Sequence, residues 1–270
     1  MKLSVLKALY TDVLIPLYSR SEAENIFYIV LQNLEKKSKT DVIVGAETLI
    51  SETYRDILVE LKKGVPVQYL TQEAPFYNLD LFVDERVLIP RPETEQLVHL
   101  VLEENKGTTK KVLDIGTGSG CIALALKNAW PEAQVSGCDV SEEALAVANK
   151  NKETLSLDVD FFKCNILNDE IEDFDIIISN PPYIAISEKE EMHKNVVNNE
   201  PHLALFVEDS DPLIFYKKII QLASKQKATC YFETSEYYRN VLDSWLQEQD
   251  LSFEWKLDFQ GKDRILKVAW

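Results

Sequence analysis

KVLDIGTGSGCIALALKNAW, residues 111–130, places three of the chain's eight glycines within five positions, after a strand-like run and before a helical one. Glycine in such a loop permits a tight turn and lets a ligand approach the backbone without meeting a Cβ. The dinucleotide fingerprint G-x-G-x-x-G, counted from Gly116, needs a glycine at position 121, where this chain has Cys121. The spacing is G-x-G-x-G instead, preceded by Asp114. An acid at the strand end suits a ligand with an ammonium group better than a pyrophosphate. In GCDVS, Asp139 ends the next strand, where a carboxylate can accept hydrogen bonds from both hydroxyls of a ribose. A nucleoside carrying an amino acid is S-adenosylmethionine, and the loop is read as its site. Packing alone would explain Gly116 or Gly120 singly, but not the full set. Asn165 and Ile166, closing the third strand in CNIL, are the candidates to hold the adenine amino group and lie against its ring; a plain turn is the competing reading of Asn165.

Working outward, a βα rhythm runs from Lys110 to the end. KVLDIG, AQVSGCDV, VDFFKCN, FDIIISN and ATCYFETS read as strands, with CIALALKNAW, SEEALAVANKN and DPLIFYKKIIQLAS as helices between them. Such alternation predicts a parallel sheet covered on both faces. A helix over 237–249 and two closing strands, FEWKLDF and RILKVAW, then predict an antiparallel C-terminal hairpin. The expected class is α/β, a Rossmann-like sheet with that hairpin added. Residues 1–66 read as a small helical bundle. Leu3, Leu6, Leu9, Val13 and Leu17 form one stripe, Phe27, Val30, Leu31 and Leu34 a second, and Ile50, Tyr54, Ile57, Leu58 and Leu61 a third. SEAE, residues 21–24, reads as a capping box. Residues 67–92 alternate apolar and polar positions around Asp84, Glu85 and Arg86 and read as a β-hairpin linker, leaving 93–270 as the main domain.

The second decisive stretch is DIIISNPPYIAIS, residues 175–187. An apolar strand delivers Asn180 to the carboxyl edge of the sheet, where open α/β folds hold their ligands. Pro181 and Pro182 fix their backbone angles and carry no N–H. What faces the site is therefore acceptor-rich: the Asn180 side-chain oxygen and the Pro181 carbonyl, with the ring of Tyr183 beside them. Two rigid acceptors and an aromatic plate suit a planar NH₂ group, whose lone pair is then turned toward a sulfonium methyl. An amide nitrogen is a poor nucleophile, and hydrogen bonds that favour its pyramidal, cationic form lower that barrier.

The charge balance limits the partners. With 29 basic against 45 acidic side chains the net charge is −16, which repels phosphate backbones and anionic membranes. No direct nucleic-acid or membrane partner is expected. Cys121, Cys138, Cys164 and Cys230 are scattered in apolar stretches without a C-x-x-C pair, so buried thiols in a reducing cytosol are expected. His99, His193 and His202 lie too far apart in sequence to suggest a metal site. The N-terminus has neither the apolar core of a signal peptide nor the length of a membrane span.

RVLIPRPETE, VLDIGTGSGCIALAL, SNPPYI, EPHLALF and GKDRILKV, in this order behind a helical bundle, resemble the release factor glutamine methyltransferases over essentially the whole chain. NPPY alone also fits adenine-N6 methyltransferases; RPETE together with EPHLAL is more selective. The resemblance implies a class I methyltransferase that carries a methyl group from S-adenosylmethionine to the glutamine side-chain amide in the Gly-Gly-Gln loop of class-1 peptide chain release factors. It implies cofactor binding by Gly116, Thr117, Gly118, Ser119, Gly120 and Asp139, amide binding by Asn180 and Pro181, and a pocket shaped by Pro182 and Tyr183. It also implies that the bundle docks the release factor and that the protein acts in translation termination in the cytoplasm; with no obvious pairing element in the sequence, a monomer is expected. Departures from the pattern are Asn165 in place of an aspartate, VEDSDP in place of a glycine-rich turn, and FETSE without its glycine. None is expected to touch the methyl-transfer centre. The alternatives are an adenine amino-methyltransferase acting on nucleic acid, and a non-enzymatic module that binds release factor.

Overall fold

The computed structural model describes residues 1–49, 51–107, 110–171 and 174–270. The chain divides into two compact units, Met1–Glu73 with His193–Asn199, and Ala74–Met192 with Glu200–Trp270. The sequence-predicted linker at 67–92 is thus split between them.

The first unit contains α1 (Leu3–Leu14), α2 (Arg20–Glu35), α3 (Lys39–Ile43), α4 (Glu52–Lys62) and α5 (Val67–Thr71). Leu3, Leu6, Tyr10 and Leu14 are the buried stripe of α1, whereas Leu9 and Leu17 are exposed. Steps of 3, 4 and 4 hold one face of a 3.6-residue helix; the expected stripe through Leu9 drifts off it. Phe27, Val30 and Leu31 from α2, and Tyr54, Ile57 and Leu61 from α4, complete this core. Ile50 lies outside the described residues. The expected capping box over 21–24 is not formed: α2 begins two residues earlier, where the Ser19 hydroxyl accepts from the Glu22 N–H. In the later segment, Asn195 donates to the Tyr18 hydroxyl and Asn199 to the Gly64 carbonyl.

The second unit opens with a hairpin, β1 (Ala74–Phe76) and β2 (Leu79–Leu81). Its turn is Tyr77-Asn78, both at positive φ, as a two-residue type I′ turn requires. The turn expected around Asp84 comes just after the hairpin, where Asp84 accepts from the Arg86 backbone and guanidinium. Next come α6 (Pro92–Glu104), β3 (Lys111–Ile115), α7 (Cys121–Ala129), β4 (Gln134–Asp139), α8 (Glu142–Leu155), β5 (Asp160–Lys163) and β6 (Ile176–Ser179). After these follow β7 (Ile184–Ala185), then α9 (Lys194–Asn199), which belongs to the first unit, and, back in the second, β8 (Phe206–Val207), α10 (Ile214–Gln226), β9 (Thr229–Glu233), α11 (Arg239–Glu248), β10 (Ser252–Leu257) and β11 (Asp263–Ala269).

A seven-stranded sheet has the order β10-β11-β9-β6-β3-β4-β5. From β5 to β9 every pairing is parallel, and β11 runs antiparallel to both β9 and β10. Side chains alternate across it. Ile176 and Ile178 join a core with Leu97, Val98 and Val101 of α6 and Ile122 and Leu126 of α7. Ile177 points into the opposite core, with Tyr216 and Ile219 of α10 and Leu242 and Leu246 of α11. Burial on both faces explains why Ile176–Ile178 of β6 are continuously apolar rather than alternating. This is the Rossmann-like α/β sheet with the antiparallel C-terminal hairpin expected from the sequence.

Candidate active site

Strand order reverses beside β3, which runs between β4 and β6, and the carboxyl ends of such neighbours leave a crevice. A cavity of about 270 Å³ lies there, lined by Gly116 and Gly118 after β3, Asp139 at the end of β4, Asn165 and Ile166 after β5, and Asn180, Pro181 and Pro182 after β6. The Ser179 hydroxyl donates to the Ile115 carbonyl at 2.8 Å, tying the ends of β6 and β3 together directly beneath it.

The glycine loop separates into a ligand face and a packing face. Gly118 has φ +54°, and a Cβ built there meets nothing within 4 Å. At Gly120 the same atom would stand 2.9 Å from the Phe161 ring, so this glycine serves close packing. The loop is held from outside. Asp139 accepts from the Gly118 N–H at 3.0 Å with one oxygen and from the Ser141 N–H at 2.9 Å with the other. Asn151, almost wholly buried, donates to the carbonyls of Ser119 and Phe82 and accepts from the Phe82 N–H.

Asp114 does not reach the cavity, contrary to the ligand contact expected for it. It is fully buried behind the loop, where Oδ2 accepts from the Thr117 hydroxyl at 2.6 Å and from the Ala123 N–H at 3.3 Å. Its Oδ1 has no hydrogen-bond partner among the described residues. Burial in this dry position, more than any neighbouring charge, raises the carboxyl to about 7. Thr117, Ser119 and Gly120 likewise are not among the lining residues. The physical reason is the sharp turn itself, which faces Gly116 and Gly118 to the crevice and turns Thr117, Ser119 and Gly120 into the packing behind it. Burial also raises the Asp139 carboxyl.

Asn165 is both wall and turn residue, since its Oδ1 accepts from the Leu167 N–H at 3.2 Å. Asn180 is oriented by a partner on another element. Its Nδ2 donates to the Thr94 hydroxyl, in the first turn of α6, at 3.2 Å, which leaves Oδ1 as the free end of the amide. The Thr94 hydroxyl in turn donates to Glu233 Oε2 at 2.6 Å. Tyr183 does not line this cavity; it lines a neighbouring one with Thr234 and Arg264. Burial pushes its phenol pKa up.

Several contributors were not assigned individual roles from sequence. Glu200 accepts from the Arg91 guanidinium with both oxygens, at 2.6 and 2.7 Å, and from the Ile89 N–H at 3.4 Å. It thereby joins the EPHLAL and RPETE segments beside the walls formed by Val87, Leu88, Leu203 and Ala204. The motifs were legible in the sequence, but the ion pair across 109 residues was not.

Comparisons with known proteins bear on the family and the fold. Residues 93–203 match the family model described as "Methyltransferase small domain". A release factor glutamine methyltransferase of Flavobacterium psychrophilum is 40% identical, with 96% of each chain covered. Those of Bacteroides thetaiotaomicron and Streptococcus pneumoniae are 38% and 41% identical, over 93% and 86% of this chain and 94% and 85% of theirs. Among solved structures, the hMettl16 catalytic domain in complex with a MAT2A 3′UTR hairpin superposes with a TM-score of 0.59 at 18% identity, covering 91% of this chain and 90% of that one. That likeness is one of fold. With the sheet, the cavity and relatives of this identity over nearly its whole length, the chain belongs to the release factor glutamine methyltransferase family.

Proposed function

We propose that this chain methylates the side-chain amide nitrogen of the glutamine in the Gly-Gly-Gln loop of a class-1 peptide chain release factor, using S-adenosylmethionine. The observation that carries this reading is the position of Asn180, at the end of β6 and on the same cavity as Gly116, Gly118 and Asp139.

The residues present fit the cofactor. Open space beyond Gly118 is a cradle that a side chain would fill. Each Asp139 oxygen holds one backbone N–H and keeps a lone pair for a ribose hydroxyl. Ile166 offers an apolar wall to a base. When bound, S-adenosylmethionine supplies an electrophilic methyl on a positively charged sulfur. Asn180 Oδ1 and the Pro181 carbonyl each accept one N–H of the substrate carboxamide, and so hold its plane. Both acceptors bind the developing ammonium-like nitrogen better than the flat amide, which lowers the barrier. Held by these two acceptors, the carboxamide nitrogen would turn its lone pair toward that methyl. The proton then leaves a nitrogen made acidic by methylation, so no strong base is required. Orientation of the two reactants is worth up to roughly 7–11 kcal/mol in favourable cases.

The first unit is assigned the docking of the release factor. Its support is the resemblance, together with exposed apolar side chains at Ile43, Val44 and Leu49. The reaction is expected in the cytoplasm, where release factors work.

The test is mass spectrometry of the release-factor peptide containing the loop glutamine, after incubation with protein and cofactor. A gain of one methyl on that glutamine is expected. Methyl transfer to tRNA, rRNA or DNA with none to release factor would overturn the reading.

A further inference from the structure

We propose that Thr94 and Glu233 set the direction of the Asn180 carboxamide, turning its oxygen rather than its nitrogen toward the substrate amide; this rests on the acceptor role given to Asn180 above. Three side chains from three elements form the chain of contacts. Asn180 follows β6, Thr94 stands in the first turn of α6, and Glu233 ends β9. Thr94 and Glu233 are each only 3% exposed, so water does not substitute for either contact.

The direction follows from counting protons. An amide NH₂ has two donors and no acceptor, so at 3.2 Å the Thr94 oxygen must be the acceptor. A hydroxyl has a single proton, and that proton is left to point at Glu233 Oε2, 2.6 Å away. Ionised Glu233 accepts it. The reverse arrangement would have Thr94 donating to the Asn180 oxygen, and its own oxygen would then need a proton from Glu233. Only a protonated carboxyl supplies one. The ionisation of Glu233 therefore selects which end of the Asn180 amide faces the cavity. The reversed amide would present an NH₂ to the substrate NH₂, with no acceptor between them.

Glu233 sits among charges of both signs. Burial dominates and raises its carboxyl to about 7; the Thr94 hydrogen bond and the guanidinium groups of Arg264 and Arg91 oppose this, and Glu93 adds to it. Arg91 is engaged by Glu200, and Arg264 by Asp258. Tyr183 and Tyr216 also face Glu233, and the Tyr216 hydroxyl donates to its backbone carbonyl at 3.1 Å. Both phenols stay neutral at physiological pH because burial pushes them up. Below neutrality the gain of a proton by Glu233 removes its preference for one amide direction.

The test compares Thr94→Val, Thr94→Ser and Glu233→Gln with the parent enzyme and with Asn180→Ala. Turnover on a release factor, KM for that factor, S-adenosylmethionine affinity by calorimetry and thermal melting are read for each. Thr94→Val is expected to lower kcat by about 10- to 100-fold, with cofactor affinity held within about twofold and KM within about threefold. Thr94→Ser, which keeps the hydroxyl, should recover most of the turnover. The parent kcat should rise with pH through about 7, and Glu233→Gln, which has no proton to lose there, should lack that limb. Full turnover in Thr94→Val beside an inactive Asn180→Ala would overturn the relay and leave the function standing. Equal losses in the Val and Ser variants, or cofactor affinity falling in step with turnover, would reduce Thr94 to a packing residue. If Thr94→Val does not fold, a parent-like pH limb in Glu233→Gln overturns the proposal by itself. An Asn180→Ala variant that still methylates release factor normally would instead sink the role of Asn180.

Discussion

The loop after β3 and the turn after β6 face the same cavity but obtain their shapes by opposite means. The first uses residues with little conformational preference and fixes them from outside, through Asp114, Asp139 and Asn151. The second uses two prolines whose backbone angles are set before folding. The difference matches the roles proposed for them. A cradle for a bulky ligand needs space and backbone donors, whereas a clamp for a small amide needs two acceptors at fixed separation. Space is made by omitting side chains; separation is made by stiffness.

Breaking the clamp should have the largest effect. Asn180→Ala is expected to reduce kcat about 100- to 1000-fold, the loss seen when one preorganised transition-state hydrogen bond is removed, while calorimetry shows cofactor binding nearly intact. Breaking the cradle should do the reverse. Gly118→Val places a β-branched side chain at φ +54° and into the space beside the loop. Cofactor Kd is expected to rise about 10- to 100-fold, with kcat at saturating cofactor much less affected. If both variants lost affinity and turnover together, the division between cradle and clamp would fail.

The smallest effect concerns the supports of the cradle. Asp114 has a folded-state pKa of about 7 against 3.8 for the ordinary group. The folded state therefore holds the proton more tightly than the unfolded chain. Its contribution to stability is fully present below about pH 3.8 and is lost as pH rises toward 7. Asp114→Asn cannot ionise and escapes that loss. Melting temperatures measured from pH 5 to 8 should show the variant gaining on the parent as pH rises, by a shift corresponding to roughly 1–3 kcal/mol. A constant difference across the range would mean that Asp114 ionises freely in the fold.

Much of this was legible because it depends on neighbours in sequence. Three consecutive isoleucines, 176–178, bounded by turn residues read as a strand buried on both faces, and its end fixes the position of Asn180. Local signals were less reliable where two candidates competed. Ser19 rather than Ser21 caps α2, and Tyr77-Asn78 rather than the residues around Asp84 makes the hairpin turn. Asp114 looked like a ligand contact because it adjoins the glycines, yet the turn that follows carries the chain away from it. The Thr94–Asn180 bond spans 86 residues and the Thr94–Glu233 bond 139. No periodicity or spacing reports such pairs; they exist only once β6 and β9 lie side by side and α6 packs against them. FETSE, expected to stay clear of the reaction centre, supplies Glu233, which is one side chain removed from Asn180.

The pairing of Glu200 with Arg91 and Ile89 has an evolutionary corollary. It pins the chain at one end of the stretch 186–199, while the pairing of β7 with β8 pins it at the other. Within it Ser187, Glu188, Asn195 and Asn199 are each hydrogen-bonded to other segments, so the adjustable part is the short link at 192–193, where doubling a flexible loop adds only about 0.6 kcal/mol. Insertions among relatives should accumulate at that link, leaving the cavity undisturbed while the exterior diversifies.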